Sequence, residues 1–186
     1  MDVGNAIMER RAYRSLEGVE IDRDLVMDLA ENARLAPSCF NNQPWRFVFV
    51  HGRESLERVF TALTSGNRWA TFASMVIAVC SEKNLDCLVK GREYYLFDTG
   101  MATAFIILRA TELGLVAHPI AGFDEEKTRE ALRIPDEYTV ITLVIVGKRS
   151  KDINPVLSEG QRKSELERPE RLPPEEFAFE DCFAGK

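Results

Sequence analysis

Apolar residues recur at helical and then at strand spacing along the first half of the chain. Apolar positions four apart between Leu25 and Ala33 predict a helix that Asp22 caps and Pro37 ends. The segment WRFVFV then predicts a buried strand. A second amphipathic helix over residues 56–63 leads to SMVIAVC, a strand that is apolar on both faces. We therefore expect a sheet that is covered on both sides.

A long apolar helix is predicted from Arg92 to Leu113, with Gly114 as its C-terminal cap. Its centre, GMATAFIIL, is apolar nearly all round, as in a helix that is buried on every face. A chain of this size does not easily supply that much covering protein from one subunit. The pattern favours a dimer interface, and the alternative is a central core helix in a monomer.

The C-terminal part of the chain changes character after one more helix and strand. Asp124 begins a short helix, and TVITLVIVG predicts a strong strand. Residues 148–186 are charged and contain prolines, which predicts an arm on a single domain 1–186. Such an arm is either a disordered tail or a segment docked on a neighbouring surface, and Phe177, Phe179 and Phe183 favour docking.

Composition narrows the class of protein. The 186 residues are 45% hydrophobic, enough for one domain with a substantial core. A net charge of -6 disfavours nucleic acid and anionic membranes as partners. Without a signal-like N-terminus or an apolar run near the ~20 residues of a membrane span, a cytoplasmic protein is predicted.

The cysteines predict free thiols. Cys39, Cys80, Cys87 and Cys182 form no CxxC pair and lie far apart, so a reducing compartment is expected. With only two histidines besides, no metal site is predicted.

Two polar motifs are candidates for chemistry, whereas phosphate-loop, Rossmann, hydrolase-elbow and zincin motifs are missing. RRAYR holds Arg10, Arg11 and Arg14, which could form a forked donor set for a phosphate or a solvated cluster paired with Glu9 and Glu17. APSCFNNQPW places three amides between a helix and a strand, either around a ligand or as a turn that stabilises the exit of the helix.

These two motifs, together with GLVAHPIAGF after the long helix, resemble the nitroreductase family of FMN-dependent NAD(P)H oxidoreductases. The resemblance covers almost the whole chain, including RLPPEEF near its end. It implies an α+β fold with a mixed, mainly antiparallel sheet flanked by helices, and a C-terminal arm exchanged in a homodimer.

The resemblance also implies a set of FMN-binding residues. Arg10, Arg14 and Arg171 would hold the phosphate and ribityl end, the APSCFNNQPW loop would border the flavin of the other subunit, and the segment after Pro119 would lie along the ring. Ala12 stands where the family usually has a hydroxyl, and Pro169 where some members have lysine. The full set is Arg10, Arg11, Ala12, Arg14, Pro37, Ser38, Cys39, Asn41, Pro119, Ile120, Ala121, Gly122 and Arg171.

The function implied is transfer of reducing equivalents from NAD(P)H through FMN to a small acceptor, such as a nitroaromatic or a quinone, by ping-pong exchange. No side chain is required to act as an acid or a base, so no catalytic residue is assigned. The alternative is a non-catalytic dimeric FMN-binding module for sensing or storage, and a third hypothesis is a structural protein without a ligand.

Overall fold

Residues 1–183 are described by the computed structural model, and they form a five-stranded sheet with helices on both faces and a separate two-stranded hairpin. The strands are β1 (Leu16–Glu17), β2 (Trp45–Val50), β3 (Met75–Ser81), β4 (Leu88–Val89), β5 (Arg92–Glu93), β6 (Leu115–Ile120) and β7 (Thr139–Arg149). The helices are α1 (Val3–Glu9), α2 (Arg23–Arg34), α3 (Arg53–Phe60), α4 (Tyr94–Glu112), α5 (Glu125–Leu132) and α6 (Glu159–Leu166). Short 3-10 turns lie at Cys39–Asn41, Ser65–Phe72, Lys83–Leu85 and Pro174–Glu176.

The sheet is organised around β7, which pairs with β3, β6 and β1, while β2 pairs with the other side of β3. Every one of these pairs is antiparallel. All seven residues of β3 are buried, as its apolar sequence predicts for a strand covered on both faces. The predicted α+β fold with a mainly antiparallel sheet and flanking helices is confirmed. Exchange of the arm between subunits stays a prediction.

Alternate residues of β7 face two separate hydrophobic cores. Leu143 and Ile145 belong to the core that includes Trp69 and lies towards α3 and α5. Val144 and Val146 belong to the core that α2 and α4 cover. The period-2 alternation of a strand therefore places one strand in both cores.

Two helix caps lie where the sequence predicts them, whereas α3 spans Arg53–Phe60 instead of the predicted 56–63, and the start of α4 also differs. The carboxylates of Asp22 and Asp124 accept from the backbone N–H of Leu25 at 2.8 Å and of Lys127 at 3.0 Å. Gly114 adopts φ +75°, a conformation suited to a helix C-terminus. Helix α4 begins two residues later than predicted because β5 pairs with β4 and takes those residues out of the helix.

Helix α4 is buried on one face only. Phe97 is 63% exposed and Phe105 38% exposed in the single chain, although both are large apolar side chains. The nearly all-round apolar sequence is thus not fully covered by the chain's own atoms.

The first part of the arm, up to the end of α6, packs against the rest of the chain. Leu157 and Glu165 are buried, and α6 begins with a capping box formed by Ser158 and Gln161. Beyond α6 the chain is exposed, with Phe177 at 62% and Phe183 at 81%. Within residues 1–183 we find no helix that has both the length and the apolar character to cross a membrane.

The prediction of four free thiols is wrong for two cysteines. Cys39 and Cys87 form a disulfide with their Cα atoms 6.1 Å apart, while Cys80 is buried and free and Cys182 is exposed and free. The two partners are 48 residues apart in sequence. They meet because the turn after α2 folds against the segment that precedes β4.

Candidate functional site

Arginines from the two ends of the chain meet in one cavity. The extended segment that follows α1 supplies one wall, and the arm after α6 supplies the other. The cavity measures about 190 Å³. Its lining residues are Arg10, Arg11, Ala12, Arg14, Ser164, Arg168, Pro169 and Arg171. We call it the arginine pocket.

Backbone groups anchor the arm against the N-terminal segment. Arg11 Nη2 donates to the carbonyl of Ser164 at 2.8 Å. Arg168 Nη2 donates to the carbonyls of Met8 and Arg10, the second at 3.2 Å. These bonds join the two walls, so the pocket depends on residues more than 150 positions apart.

Glu165 fixes the backbone of the N-terminal wall from behind. Its side chain is buried, and its two carboxylate oxygens accept from the N–H of Arg14 at 2.7 Å and of Ser15 at 3.1 Å. A carboxylate with two backbone donors is a strong local anchor. The turn that carries Arg14 is therefore held in one conformation.

The guanidinium groups of the pocket form no ion pair with a carboxylate in the described part of the chain, since Glu165 is bound to backbone N–H groups instead. Burial lowers the pKa of Arg10, and the neighbouring charges of Arg171 and Arg168 lower it further. Among the ion pairs within residues 1–183, none involves a pocket arginine. Glu17, a partner in the surface-cluster hypothesis, instead pairs with Lys148 at 3.2 Å. Unpaired guanidinium groups around a small cavity fit a phosphate, which would relieve their repulsion.

The segment after Pro119 follows the end of β6 with two backbone donors that have no partner among the described residues. Neither the Ala121 nor the Gly122 N–H donates to another group within residues 1–183. The carbonyl of Gly122, by contrast, accepts from Thr64 Oγ1 and Asn67 Nδ2, both at 2.9 Å. The segment is thus clamped through its carbonyl while its N–H groups stay available.

Gly122 has no room for a side chain. A Cβ there would lie 2.5 Å from Asn67 Nδ2 and 2.7 Å from Thr64 Oγ1. The side chain of Ile120 is buried, so it can contribute to a site only through its backbone. Pro119 and Ala121 are exposed.

A buried histidine connects this segment to the arginine pocket. His118 stacks on Trp69 with ring centroids 4.7 Å apart, and its Nδ1 lies 3.1 Å from the carbonyl of Tyr13. Arg14 lies over the Trp69 ring at 5.9 Å. Burial lowers the pKa of His118 to about 4, so the ring is neutral at neutral pH. The RRAYR motif and the end of β6 are therefore neighbours.

The amide-rich loop lies outside the arginine pocket of its own chain. Ser38 Oγ accepts from the Gln43 N–H at 3.0 Å, and the Cys39 N–H donates to Asp98 Oδ2 at 2.6 Å. Asn42 Nδ2 lies 3.2 Å from Asp86 Oδ1. The Gln43 side-chain amide donates from Nε2 to the carbonyl of Asn41 at 3.2 Å, so the amides of Asn42 and Gln43 both have structural partners. Pro37 and Asn41 stay exposed.

The structure thus brings together most, though not all, of the residues predicted from the sequence. Arg10, Arg11, Ala12, Arg14 and Arg171 share one pocket, residues 119–122 lie next to it through His118, and residues 37–41 do not line it. Sequence reasoning missed Ser164, Glu165 and Arg168. The only available signal was the spacing of Arg168 three residues before Arg171.

Comparison with known proteins gives consistent matches. The family model described as "Nitroreductase family" matches residues 7–79 and 63–148. An Archaeoglobus fulgidus protein named "Putative NADH dehydrogenase/NAD(P)H nitroreductase" is 32% identical over 152 residues, covering 78% of this chain and 86% of that protein.

Solved structures agree with this match. A nitroreductase family protein from Clostridium novyi NT superposes with a TM-score of 0.75 at 30% identity, covering 81% of this chain and 87% of that one. A structure described as an oxidoreductase containing FMN superposes with a TM-score of 0.84 at 28% identity, covering 100% of this chain and 94% of that one.

Proposed function

The chain belongs to the nitroreductase family, and from that premise we propose that it is an FMN-dependent oxidoreductase. It transfers reducing equivalents from NAD(P)H to a small acceptor, such as a nitroaromatic or a quinone, by ping-pong exchange. The relative from Archaeoglobus fulgidus carries an NAD(P)H nitroreductase name, and one solved structure is described as containing FMN.

The arginine pocket is the observation that carries the proposal. It concentrates positive charge in a cavity of about 190 Å³, and within residues 1–183 no carboxylate pairs with that charge. Arg10, Arg168 and Arg171 would hold the FMN phosphate by charge-assisted hydrogen bonds. Because Ala12 has no hydroxyl and Pro169 no amine, the phosphate would be bound by the guanidinium groups alone.

The neighbouring groups suit the ring end of the same cofactor. FMN, when bound, supplies the hydride chemistry. The free N–H groups of Ala121 and Gly122 would donate to the ring, and Arg14 would place positive charge near its electron-rich end. Pro119 is exposed beside them and Ile120 contributes backbone only.

No side chain is assigned as an acid or a base. His118 is the nearest titratable ring, but it is buried and its pKa is lowered to about 4. Its ring is therefore neutral at neutral pH and cannot act as an imidazolium acid. Protons for the acceptor would come from solvent.

We propose further that the protein works as a homodimer in which Pro37, Ser38, Cys39 and Asn41 border the flavin of the other subunit. Two features support this. The loop does not line its own chain's arginine pocket, and α4 leaves Phe97 exposed. In a homodimer, the partner subunit and its arm would cover exposed apolar side chains such as Phe97.

Calorimetric titration with FMN and with riboflavin tests the phosphate assignment. A charge-assisted bond contributes about 1.5 to 3 kcal/mol, so Arg10→Ala or Arg171→Ala should weaken FMN binding at least about tenfold. Riboflavin, which has no phosphate, should lose little. Arg23→Ala is the control, because Arg23 is exposed on α2, away from the pocket. Equal loss for both ligands would overturn the assignment.

A further inference from the structure

The loop that contains Cys39 holds an unusual backbone. Phe40, Asn41 and Gln43 have φ of 49°, 60° and 50°, a region that L side chains rarely adopt. Phe40 is also 90% exposed, so burial of its ring does not hold it there. Three such residues within four positions persist only where surrounding contacts impose the conformation.

The loop is held partly by its own bonds, such as that from the Gln43 N–H to Ser38 Oγ at 3.0 Å, and partly by contacts that converge on one place. The Cys39–Cys87 disulfide ties the loop to the segment before β4, and Asn42 Nδ2 reaches Asp86 Oδ1 at 3.2 Å in that same segment. The Cys39 N–H donates to the buried Asp98 at 2.6 Å. The disulfide is the covalent member of this set.

We propose that Cys39 and Cys87 form a reducible disulfide site, and that its redox state sets the conformation of loop 38–43. The reductant is a small dithiol. One of its thiolates attacks a sulfur of the disulfide, and the mixed disulfide then closes to the cyclic disulfide of the reagent. Two electrons and two protons pass to the protein, whose S–S bond becomes two thiols.

The surroundings accommodate both states. Cys39 and Cys87 are half-buried, so a small thiol can approach them. Asp86 Oδ2 is buried and has no direct hydrogen-bond partner within residues 1–183, and the carboxyl of Asp98, whose pKa is raised by burial and by the nearby Asp86, lies close to it. The sulfurs of both cysteines and a carboxylate oxygen of Asp86 lie within 4.8 Å of one another. Reduction creates two S–H donors close to this carboxylate, which the disulfide form lacks.

The consequence for the cofactor rests on the proposed function. If this loop borders the flavin of the other subunit, reduction frees a wall of that site and weakens FMN binding. The state of the disulfide itself does not depend on flavin, so its test is separable.

The first measurement counts thiols in the full chain, purified without reductant and alkylated under denaturing conditions. Two cysteines, Cys80 and Cys182, should be modified before dithiothreitol treatment and all four after it. A peptide that links Cys39 to Cys87 should appear only in the untreated sample. Modification of all four without reductant would overturn the proposal. So would bound zinc without the linked peptide, which would assign the cluster to a metal.

The second measurement follows hydrogen exchange of the loop in both states. Amides of residues 39–43 should exchange at least about tenfold faster after reduction, with strand β2 unchanged. Cys182→Ser should keep this response. The double variant Cys39→Ser with Cys87→Ser should exchange fast with and without dithiothreitol. A demonstrated disulfide whose reduction leaves loop exchange unchanged would overturn the switch.

Discussion

Glu165 gives the sharpest test of how the arginine pocket is built. The residue is only 4% exposed, and its carboxylate accepts from the N–H groups of Arg14 and Ser15 at 2.7 and 3.1 Å. Glu165→Ala removes both bonds and leaves two donors without an acceptor. Glu165→Gln keeps one oxygen but turns an NH₂ group towards a donor.

The magnitude follows from these two bonds. Hydrogen bonds to a charged group contribute about 1.5 to 3 kcal/mol each, so Glu165→Ala should lower the free energy of unfolding by about 3 to 6 kcal/mol. Glu165→Gln, which retains one neutral bond, should lower it by about 1 to 3 kcal/mol. At about 2 to 4 °C per kcal/mol for a chain of this size, the alanine variant should melt roughly 6 to 24 °C lower.

Urea unfolding followed by circular dichroism, together with thermal melts, measures both variants. Glu167→Ala is the matched control, because Glu167 is exposed and close in sequence to the same arm. The order of stability should be control, then glutamine, then alanine. A loss below about 0.5 kcal/mol for Glu165→Ala would refute the anchoring role, since that is the range of an ordinary surface substitution.

Three further predictions address the flavin segment, the buried histidine and the dimer. Gly122→Ala should destabilise the fold by about 1 to 3 kcal/mol in urea, because its Cβ would lie 2.5 Å from the Asn67 amide; an unchanged midpoint would contradict the clamp. His118 is neutral in the fold, where its pKa is about 4, whereas in the unfolded chain it takes up a proton near pH 6.5. Its contribution to the free energy of unfolding is therefore present above about pH 6.5 and is lost as pH falls to about 4. The loss should approach about 3 kcal/mol, and His118→Phe should lack it; parallel pH profiles for the two chains would count against this assignment. Ala104→Glu, on the exposed face of α4, should yield a folded monomer that binds FMN poorly, measured by light scattering and flavin absorbance on one chromatographic peak. A folded monomer with wild-type FMN affinity would show that the loop serves its own subunit.

Features that depend on local sequence could be predicted. The caps at Asp22 and Asp124, the buried strand β3 and the positive φ at Gly114 each follow from a few neighbouring residues. The start of α4 could not, because it depends on pairing between β4 and β5.

Features that depend on distant contacts were missed or read wrongly. The Cys39–Cys87 disulfide joins segments 48 residues apart, and no spacing rule foretells which cysteines will meet. Arg168 and Glu165 reach the pocket only because the arm folds back across the N-terminal segment. RRAYR alone left a phosphate site and a surface cluster open, and the lack of carboxylate ion pairs to these arginines among residues 1–183 favours the phosphate site.

The most direct test of the central claim is anaerobic reduction of the protein loaded with FMN. On addition of NADH or NADPH, the visible flavin absorbance should bleach, and it should return when a quinone is added, because hydride transfer to bound FMN and release to an acceptor are the two halves of ping-pong exchange. Protein that binds FMN through the arginine pocket but is bleached by neither nicotinamide would contradict the account and identify a non-catalytic flavin-binding module.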